Sequence, residues 1–198
     1  MAFRSDLRAS LTIPNLITLA RILLTPLFII FLIQGRYRQA FIVFLLAGLS
    51  DLADGLIARV WQQKSPLGAY LDPLADKLLM SASFVTLSIS RTIPPWLTVV
   101  VLSRDMIIAL GVTIFRLADL PLQISPSRLG KWTTTLQILT ILLVLTGKIW
   151  PLPRILFPSL FWATGILTVI SGVHYVFRGL LGVSQPQGRG EEGSGGHG

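Results

Sequence analysis

The sequence predicts an all-α integral membrane protein with six transmembrane helices and a short N-terminal amphipathic segment. Of its 198 residues, 52% are hydrophobic and 13% are charged, and the mean hydropathy is +0.70. Such a composition is too apolar for a soluble domain of this length. Several apolar runs approach the roughly 20 residues that a spanning helix needs. These observations predict one membrane domain.

The elements follow in chain order. Residues 1–14 are mildly amphipathic and are predicted to lie on the membrane surface. The first apolar run contains Arg21 and lacks a small-residue cleavage site, which favours a retained helix over a signal peptide. Polar or Pro-containing breaks such as "QGRYRQ", "QQKSPLG", "RTIPP" and "WPLPR" separate the later runs.

The six spans are predicted at 15–34, 39–62, 68–90, 95–117, 131–148 and 155–178, each end being defined to about 2 to 4 residues. Together they form a membrane domain over residues 15–180. Residues 181–198 are Gly-rich and polar, which predicts a disordered tail.

The charges predict the partners and the orientation. The net charge is +8, but the cations are scattered through loops and helix ends, which favours anionic lipid head groups over nucleic acid. Six spans put both termini on one side of the membrane. The loops on that side hold more cations, so we predict that it is the cytoplasmic side. The membrane is predicted to be a bacterial inner membrane. The predicted cytoplasmic side carries Arg4, Arg8, Lys64, Arg116, Arg128, Lys131, Arg178 and Arg189, and the other carries Arg36, Arg38, Arg91, Lys148 and Arg154. The chain has no cysteine, which excludes a disulfide framework and a thiol nucleophile.

Four of the nine acidic residues lie between Ser50 and Met80. Asp51 and Asp54 are three residues apart, and Asp72 and Asp76 are four apart, so each pair projects from one face of its helix. A turn at "QQKSPLG" would let the two helices pack antiparallel and bring the pairs together. Carboxylates at bilayer depth are costly unless they are paired, hydrated or bound to a cation. The four aspartates therefore predict a site for two divalent cations, Mg²⁺ or Mn²⁺.

Three residues of the same stretch suit a phosphate ligand. Gly55 and Gly68 remove side chains where a ligand must approach the backbone. Arg59 lies near the end of its helix and can donate a bidentate hydrogen bond to a phosphate. Metal ions beside a phosphate predict phosphoryl transfer.

These residues spell Asp51-x2-Asp54-Gly55-x2-Ala58-Arg59-x8-Gly68-x3-Asp72-x3-Asp76. The pattern resembles the complete signature of the CDP-alcohol phosphatidyltransferase family. The segments "IPNLITLARILLTPLF", "GAYLDPLADKLLM", "SRDMII" and "SRLGKWTTTLQI" are similar to its phosphatidylglycerophosphate synthase and CMP-forming cardiolipin synthase branches. The resemblance covers most of the chain except the tail.

The resemblance implies a six-helix membrane enzyme, usually a homodimer, that transfers a phosphatidyl group from CDP-diacylglycerol to an alcohol and releases CMP. It implies that two divalent cations are held by Asp51, Asp54, Asp72 and Asp76, with Asp76 also the general base. It also implies a CDP site formed by Asp51, Asp54, Gly55, Arg59, Gly68 and Asp72.

The acceptor is predicted to carry a phosphate. Arg104 and Lys131 are cations on neighbouring spans that could face one cavity. Arg104, Arg128 and Lys131 fall in blocks that resemble the acceptor region of family members using glycerol 3-phosphate, which is our first prediction. Asp105 in "SRDMII" is more similar to the cardiolipin synthase branch, so phosphatidylglycerol is the alternative acceptor.

Other interpretations explain less of the pattern. Helix capping or snorkelling accounts for one or two of the aspartates but not for their spacing. A cation transporter would use intramembrane carboxylates, but it does not explain Gly55, Arg59 and Gly68. Arg21 has two interpretations of equal standing: a structural partner of the aspartates, or a residue that contacts the ligand.

Overall fold

The computed structural model describes residues 13–61, 66–117 and 128–183, with side chains for 18–50, 75–114, 117 and 128–178. The described residues form six α-helices. They are α1 Ile13–Ile33, α2 Tyr37–Trp61, α3 Pro66–Ile89, α4 Pro95–Leu117, α5 Arg128–Ile149 and α6 Leu156–Val183. The prediction of an all-helical chain with six helices is confirmed for these residues. Most of the predicted amphipathic segment, residues 1–14, and most of the predicted tail, residues 181–198, lie outside the described residues.

Helix ends agree with the predicted spans to within three residues, except at the last helix. α3 and α4 each begin at a proline, which lacks the amide hydrogen that the first turn leaves unpaired. α6 continues to Val183, beyond the predicted end at 178 and into the segment predicted as tail. The reason is that "GLLGV" after Arg178 is still apolar and contains no proline.

Three helices are long and apolar enough to cross a membrane within the ranges that the structure describes: Pro95–Ile114, Arg128–Ile149 and Leu156–Arg178. Two shorter apolar segments, Thr18–Ile33 and Tyr37–Ser50, lie in α1 and α2. Large apolar side chains face outwards on these helices, including Leu23, Ile114 and Ile166. An exposed apolar surface of this extent fits an integral membrane protein.

The helices run up and down. α1 packs on α2 and α3, α6 packs on α4 and α5, and the pairs α2/α5 and α3/α4 join the two groups. α3 and α4 are antiparallel, since Thr98 near the start of α4 donates a hydrogen bond to the carbonyl of Phe84 towards the end of α3. α5 and α6 are antiparallel as well, with Gly147 beside Phe157 and Thr140 beside Thr164.

The connections 34–36, 90–94 and 150–155 therefore lie at one end of the molecule, which we call the hairpin end. Gly35 in the first of them has φ +69°, a backbone conformation that glycine adopts without a steric cost. Among the described side chains, the buried apolar core occupies the half next to this end. Its members include Phe28, Leu32, Ala40, Phe44, Leu87, Leu97 and Leu145. The signature residues lie in the other half of α2 and α3.

Candidate active site

The backbone places the predicted aspartates at matching depths in two helices. Asp51 and Asp54 lie ten and seven residues before the C-terminal end of α2. Asp72 and Asp76 lie six and ten residues after the N-terminal end of α3. At 1.5 Å of rise per residue, both pairs are about 9 to 15 Å along their helices from those ends. This register is compatible with the predicted meeting of the two pairs.

Most of the signature side chains lie outside the described ones. These are the side chains of Asp51, Asp54, Ala58, Arg59 and Asp72. Gly55 lies in α2 and Gly68 in the first turn of α3. Among the described side chains, no three carboxylate, histidine or cysteine groups lie close enough to bind one metal ion together. The two-metal site therefore stays a prediction.

Asp76 is the signature aspartate whose side chain is described, and it is paired with Arg21 of α1. Nη1 of Arg21 donates a hydrogen bond to Oδ1 of Asp76 at 2.5 Å. The Arg21 side chain is 1% exposed, whereas that of Asp76 is 46% exposed. The interpretation of Arg21 as a structural partner of an aspartate is confirmed. Asp76 stays accessible although a buried cation holds it.

A second charge cluster links α3 to α4 and α6. Lys77 Nζ lies 2.6 Å from Oδ2 of Asp105, and Nη1 of Arg104 donates to Oδ1 of Asp105 at 2.8 Å. Nη2 of Arg104 donates to the Ser171 hydroxyl at 3.2 Å. Arg104 and Asp105 are both nine-tenths buried. Gly172 packs against Arg104, and a Cβ at 172 would lie in van der Waals contact with Cγ of the arginine, at 3.4 Å.

Adjacent residues of α3 thus point to different helices. Asp76 contacts α1 and Lys77 contacts α4, which agrees with the 100° rotation between successive residues of an α-helix. Each pair compensates a cation at membrane depth, where an uncompensated charge is costly. The two ion pairs together define the rotation of α3 about its axis and hence the direction of the Asp76 carboxylate.

A buried polar seam between α5 and α6 was not predicted. Thr140 and Thr164 share a hydrogen bond of 2.7 Å, and Nε2 of Gln137 donates to Thr168 at 3.3 Å. Thr133 donates to the Leu167 carbonyl at 3.4 Å. Such hydroxyl contacts join helices where no water competes for the groups. The signal was available in the sequence, because Thr133, Gln137 and Thr140 recur at helical spacing.

The three predicted acceptor cations occupy different surroundings. Arg128 and Lys131 lie in the first turns of α5, away from the hairpin end, and both are exposed. Arg104 is buried in α4 with Asp105 and Ser171 as partners. α4 and α5 both pack on α6. The structure thus places Arg104 and Lys131 on two helices that flank the same third helix.

Comparison with known proteins decides the family. The family model described as CDP-alcohol phosphatidyltransferase matches residues 11–173, which is most of the chain. The chain belongs to the CDP-alcohol phosphatidyltransferase family. The signature that suggested this family lies inside the matched range, in α2 and α3.

Named relatives come from two branches of the family. The chain is 35% identical over 180 residues to the "Cardiolipin synthase (CMP-forming) / mitochondrial hydrolase fusion protein" of Schizosaccharomyces pombe, covering 83% of this chain and 30% of the relative. It is 32% identical over 195 residues to "Cardiolipin synthase (CMP-forming)" of Rattus norvegicus, covering 90% and 65%. It is 33% identical over 181 residues to "CDP-diacylglycerol--glycerol-3-phosphate 3-phosphatidyltransferase" of Bacillus subtilis, covering 82% and 92%.

The chain therefore spans less than two thirds of the length of the first two relatives and nearly the full length of the third. Their similarity agrees with the family assignment.

Proposed function

We propose that this protein transfers a phosphatidyl group from CDP-diacylglycerol to glycerol 3-phosphate and releases CMP. This step belongs to the phosphatidylglycerol branch of phospholipid biosynthesis. The observation that carries the proposal is the complete signature from Asp51 to Asp76, present in a chain that belongs to the family. The matching depth of the two aspartate pairs supports it. So does Asp76, which is held by Arg21 and yet half exposed.

Each signature residue has a role in this reaction. Asp76 accepts the proton of the attacking hydroxyl, and Arg21 orients its carboxylate. Arg59 binds the pyrophosphate, and Gly55 and Gly68 leave room for the nucleotide to approach the backbone.

Carboxylate oxygens are the ligands that Mg²⁺ and Mn²⁺ prefer, so the donor set fits two such ions. Asp51, Asp54, Asp72 and Asp76 would hold them, and Asp51, Asp54 and Asp72 would also position the nucleotide through them. Bound divalent cations neutralise the charge that develops on the departing CMP.

The phosphate of the acceptor would bind the cations of α4 and α5. Arg128 and Lys131 are exposed and can reach a ligand from the membrane surface. Arg104 uses both Nη atoms internally, and its buried Nε has no hydrogen-bond partner among the described residues, so it would donate to a phosphate oxygen only after a side-chain movement that exposes it. We place this site at the cytoplasmic face of a bacterial inner membrane, in a homodimer.

A second acceptor is favoured by the relatives. Cardiolipin synthases match 83% and 90% of the chain, and phosphatidylglycerol also carries a phosphate. Asp105, which is more similar to that branch, neutralises part of the cation cluster around Arg104. Cardiolipin synthesis is therefore the second candidate.

The deciding experiment offers acceptors separately to the purified protein. Labelled CDP-diacylglycerol with Mg²⁺ or Mn²⁺ is incubated with glycerol 3-phosphate, phosphatidylglycerol, inositol phosphate or serine, and the lipid product and CMP are identified. We expect phosphatidylglycerophosphate. Cardiolipin as the product would establish the second candidate, and no CMP release with any acceptor would contradict the proposal.

Substitution of the signature tests the site. Asp54→Ala and Asp72→Ala are each expected to lower kcat at least about 1,000-fold, because each removes a carboxylate from the metal and nucleotide site. Asp6→Ala, an aspartate outside the signature, is the matched control and should keep its activity. Turnover retained by a folded Asp54→Ala or Asp72→Ala protein would refute the assignment.

A further inference from the structure

A concave pocket opens at the hairpin end, far along the helices from the signature. It has a volume of about 420 Å³ and lies between the start of α2 and the end of α5. Arg36, Tyr37, Arg38, Gln39 and Lys148 line it. The Lys148 ammonium lies 5.5 Å from the centroid of the Tyr37 ring, a cation–π contact that holds the charge beside the pocket.

Among the residues that the structure describes, no carboxylate pairs with the cations of this pocket. The sequence contains no Asp or Glu in residues 7–50, 77–104 or 120–190, and these segments supply all three connections of the hairpin end. The buried cations Arg21 and Arg104 differ, because each has a carboxylate partner. Three cations lining one concavity repel one another, and a bound anion removes that repulsion.

The surroundings of the pocket indicate the kind of anion. The pocket lies where the helices end, which is the level of the lipid head groups for membrane helices. Trp150 is 58% exposed and Ile33 is 72% exposed beside it. An aromatic ring and an apolar surface at this level are typical of a membrane interface. A ligand here meets charge at its head and apolar surface along its chains.

We propose that this pocket binds the phosphate group of an anionic membrane phospholipid. Arg36 and Arg38 donate hydrogen bonds to the phosphate oxygens, and Lys148 adds a point charge from α5. The acyl chains lie along the apolar surface of α1 and α5 below it. The bound lipid thereby joins the start of α2 to the end of α5, two helices that already pack together.

The test measures binding to the full-length protein in detergent. Dioleoylphosphatidic acid, dioleoylphosphatidylcholine and inorganic phosphate are titrated separately, and bound molecules are counted by native mass spectrometry. The test variant is the double substitution Arg38→Gln and Lys148→Met. The matched control is Arg91→Gln and Arg154→Gln, which removes two cations of the same end that do not line the pocket.

We expect phosphatidic acid to bind to the test variant at least about tenfold more weakly than to the wild type. Its affinity for the control variant should lie within about twofold of its affinity for the wild type. The phosphate of phosphatidylcholine is balanced by its own choline, so its affinity should differ little between the two variants. Unfolding midpoints of the lipid-free proteins check that both variants fold, which the exposure of the substituted side chains favours.

Two results would overturn the proposal. Equal binding of phosphatidic acid to the wild type and the test variant would show that the pocket is not the site. Inorganic phosphate that binds and displaces the lipid at equal concentration would show an anion site with no preference for lipid. The measurement needs no turnover, so it is independent of the proposed reaction. Asp54→Ala should bind phosphatidic acid at this pocket as the wild type does.

Discussion

Arg21 and Asp76 form a pair that would serve both the membrane and the proposed chemistry. The guanidinium is 1% exposed and its partner carboxylate is 46% exposed. A buried cation in a membrane helix needs compensation, and a catalytic carboxylate needs a defined direction. The pair meets both needs, because one oxygen of Asp76 accepts from Arg21 while the side chain stays accessible.

Arg21→Met is expected to lower kcat about 100-fold, because the carboxylate loses the donor that orients it. The loss in stability should be small, about 1 to 3 kcal/mol, since the freed carboxylate is half exposed and can be hydrated. Arg21→Lys keeps the charge without the planar fork and should lie between the wild type and Arg21→Met. Phosphatidyl transfer and the thermal unfolding midpoint in detergent measure the two effects. Unchanged turnover in Arg21→Met would mean that this pair does not position Asp76.

At the scale of the helix, rotation about the axis of α3 is controlled by two neighbouring residues. Asp76 is drawn to α1 and Lys77 to α4, and Asp105 receives Lys77 while it also pairs with Arg104. Asp72 lies four residues before Asp76 on the same helix face. Any rotation of α3 would therefore move both signature aspartates together.

Lys77→Met removes the contact with α4 and leaves the buried pair of Arg104 and Asp105 intact. We expect kcat to fall about tenfold with the KM for CDP-diacylglycerol changed less than twofold, because small displacements of a reacting group affect the chemical step more than binding. Lys77→Arg should restore most of the rate. The control is Lys64→Met, the same substitution at a lysine that lies outside the described residues. The double variant of Lys77→Met with Asp105→Asn should be no slower than Asp105→Asn alone. Multiplicative losses would instead show that Lys77 acts on the substrate directly.

The elements were predictable to a greater extent than the contacts between them. Six apolar runs separated by polar or proline-containing breaks predict the helices, since bilayer thickness sets their length. The spacing of Asp51, Asp54, Asp72 and Asp76 predicts a shared face on each helix. No periodicity predicts that Lys77 meets Asp105, or that Arg104 meets Ser171, because those contacts depend on how α3, α4 and α6 pack.

The described side chains differ in character along the helix axes. Among them, the buried apolar core lies towards the hairpin end, with Phe28, Phe44 and Leu97 among its members. The buried charges of Arg21, Arg104 and Asp105 lie farther from that end, towards the half that holds the signature. A packed apolar half gives the polar half rigid walls, which a preorganised site requires.

The same division predicts how the protein sits in its membrane. The connections of the hairpin end carry fewer Lys and Arg than the other side, so that end should face outwards and the signature should face the cytoplasm.

The chain has no cysteine, so single cysteines can report the side of each loop. In a bacterial host, a membrane-impermeant maleimide should label Gln34→Cys in intact cells and Gln63→Cys only after permeabilisation. The reverse pattern would place the aspartates outside, where CDP-diacylglycerol made in the cytoplasm could not reach them. Labelling of both positions in intact cells would mean that α2 does not cross the membrane. With the expected pattern, the lipid at the pocket of Arg38 and Lys148 comes from the outer leaflet while the reaction uses the inner one.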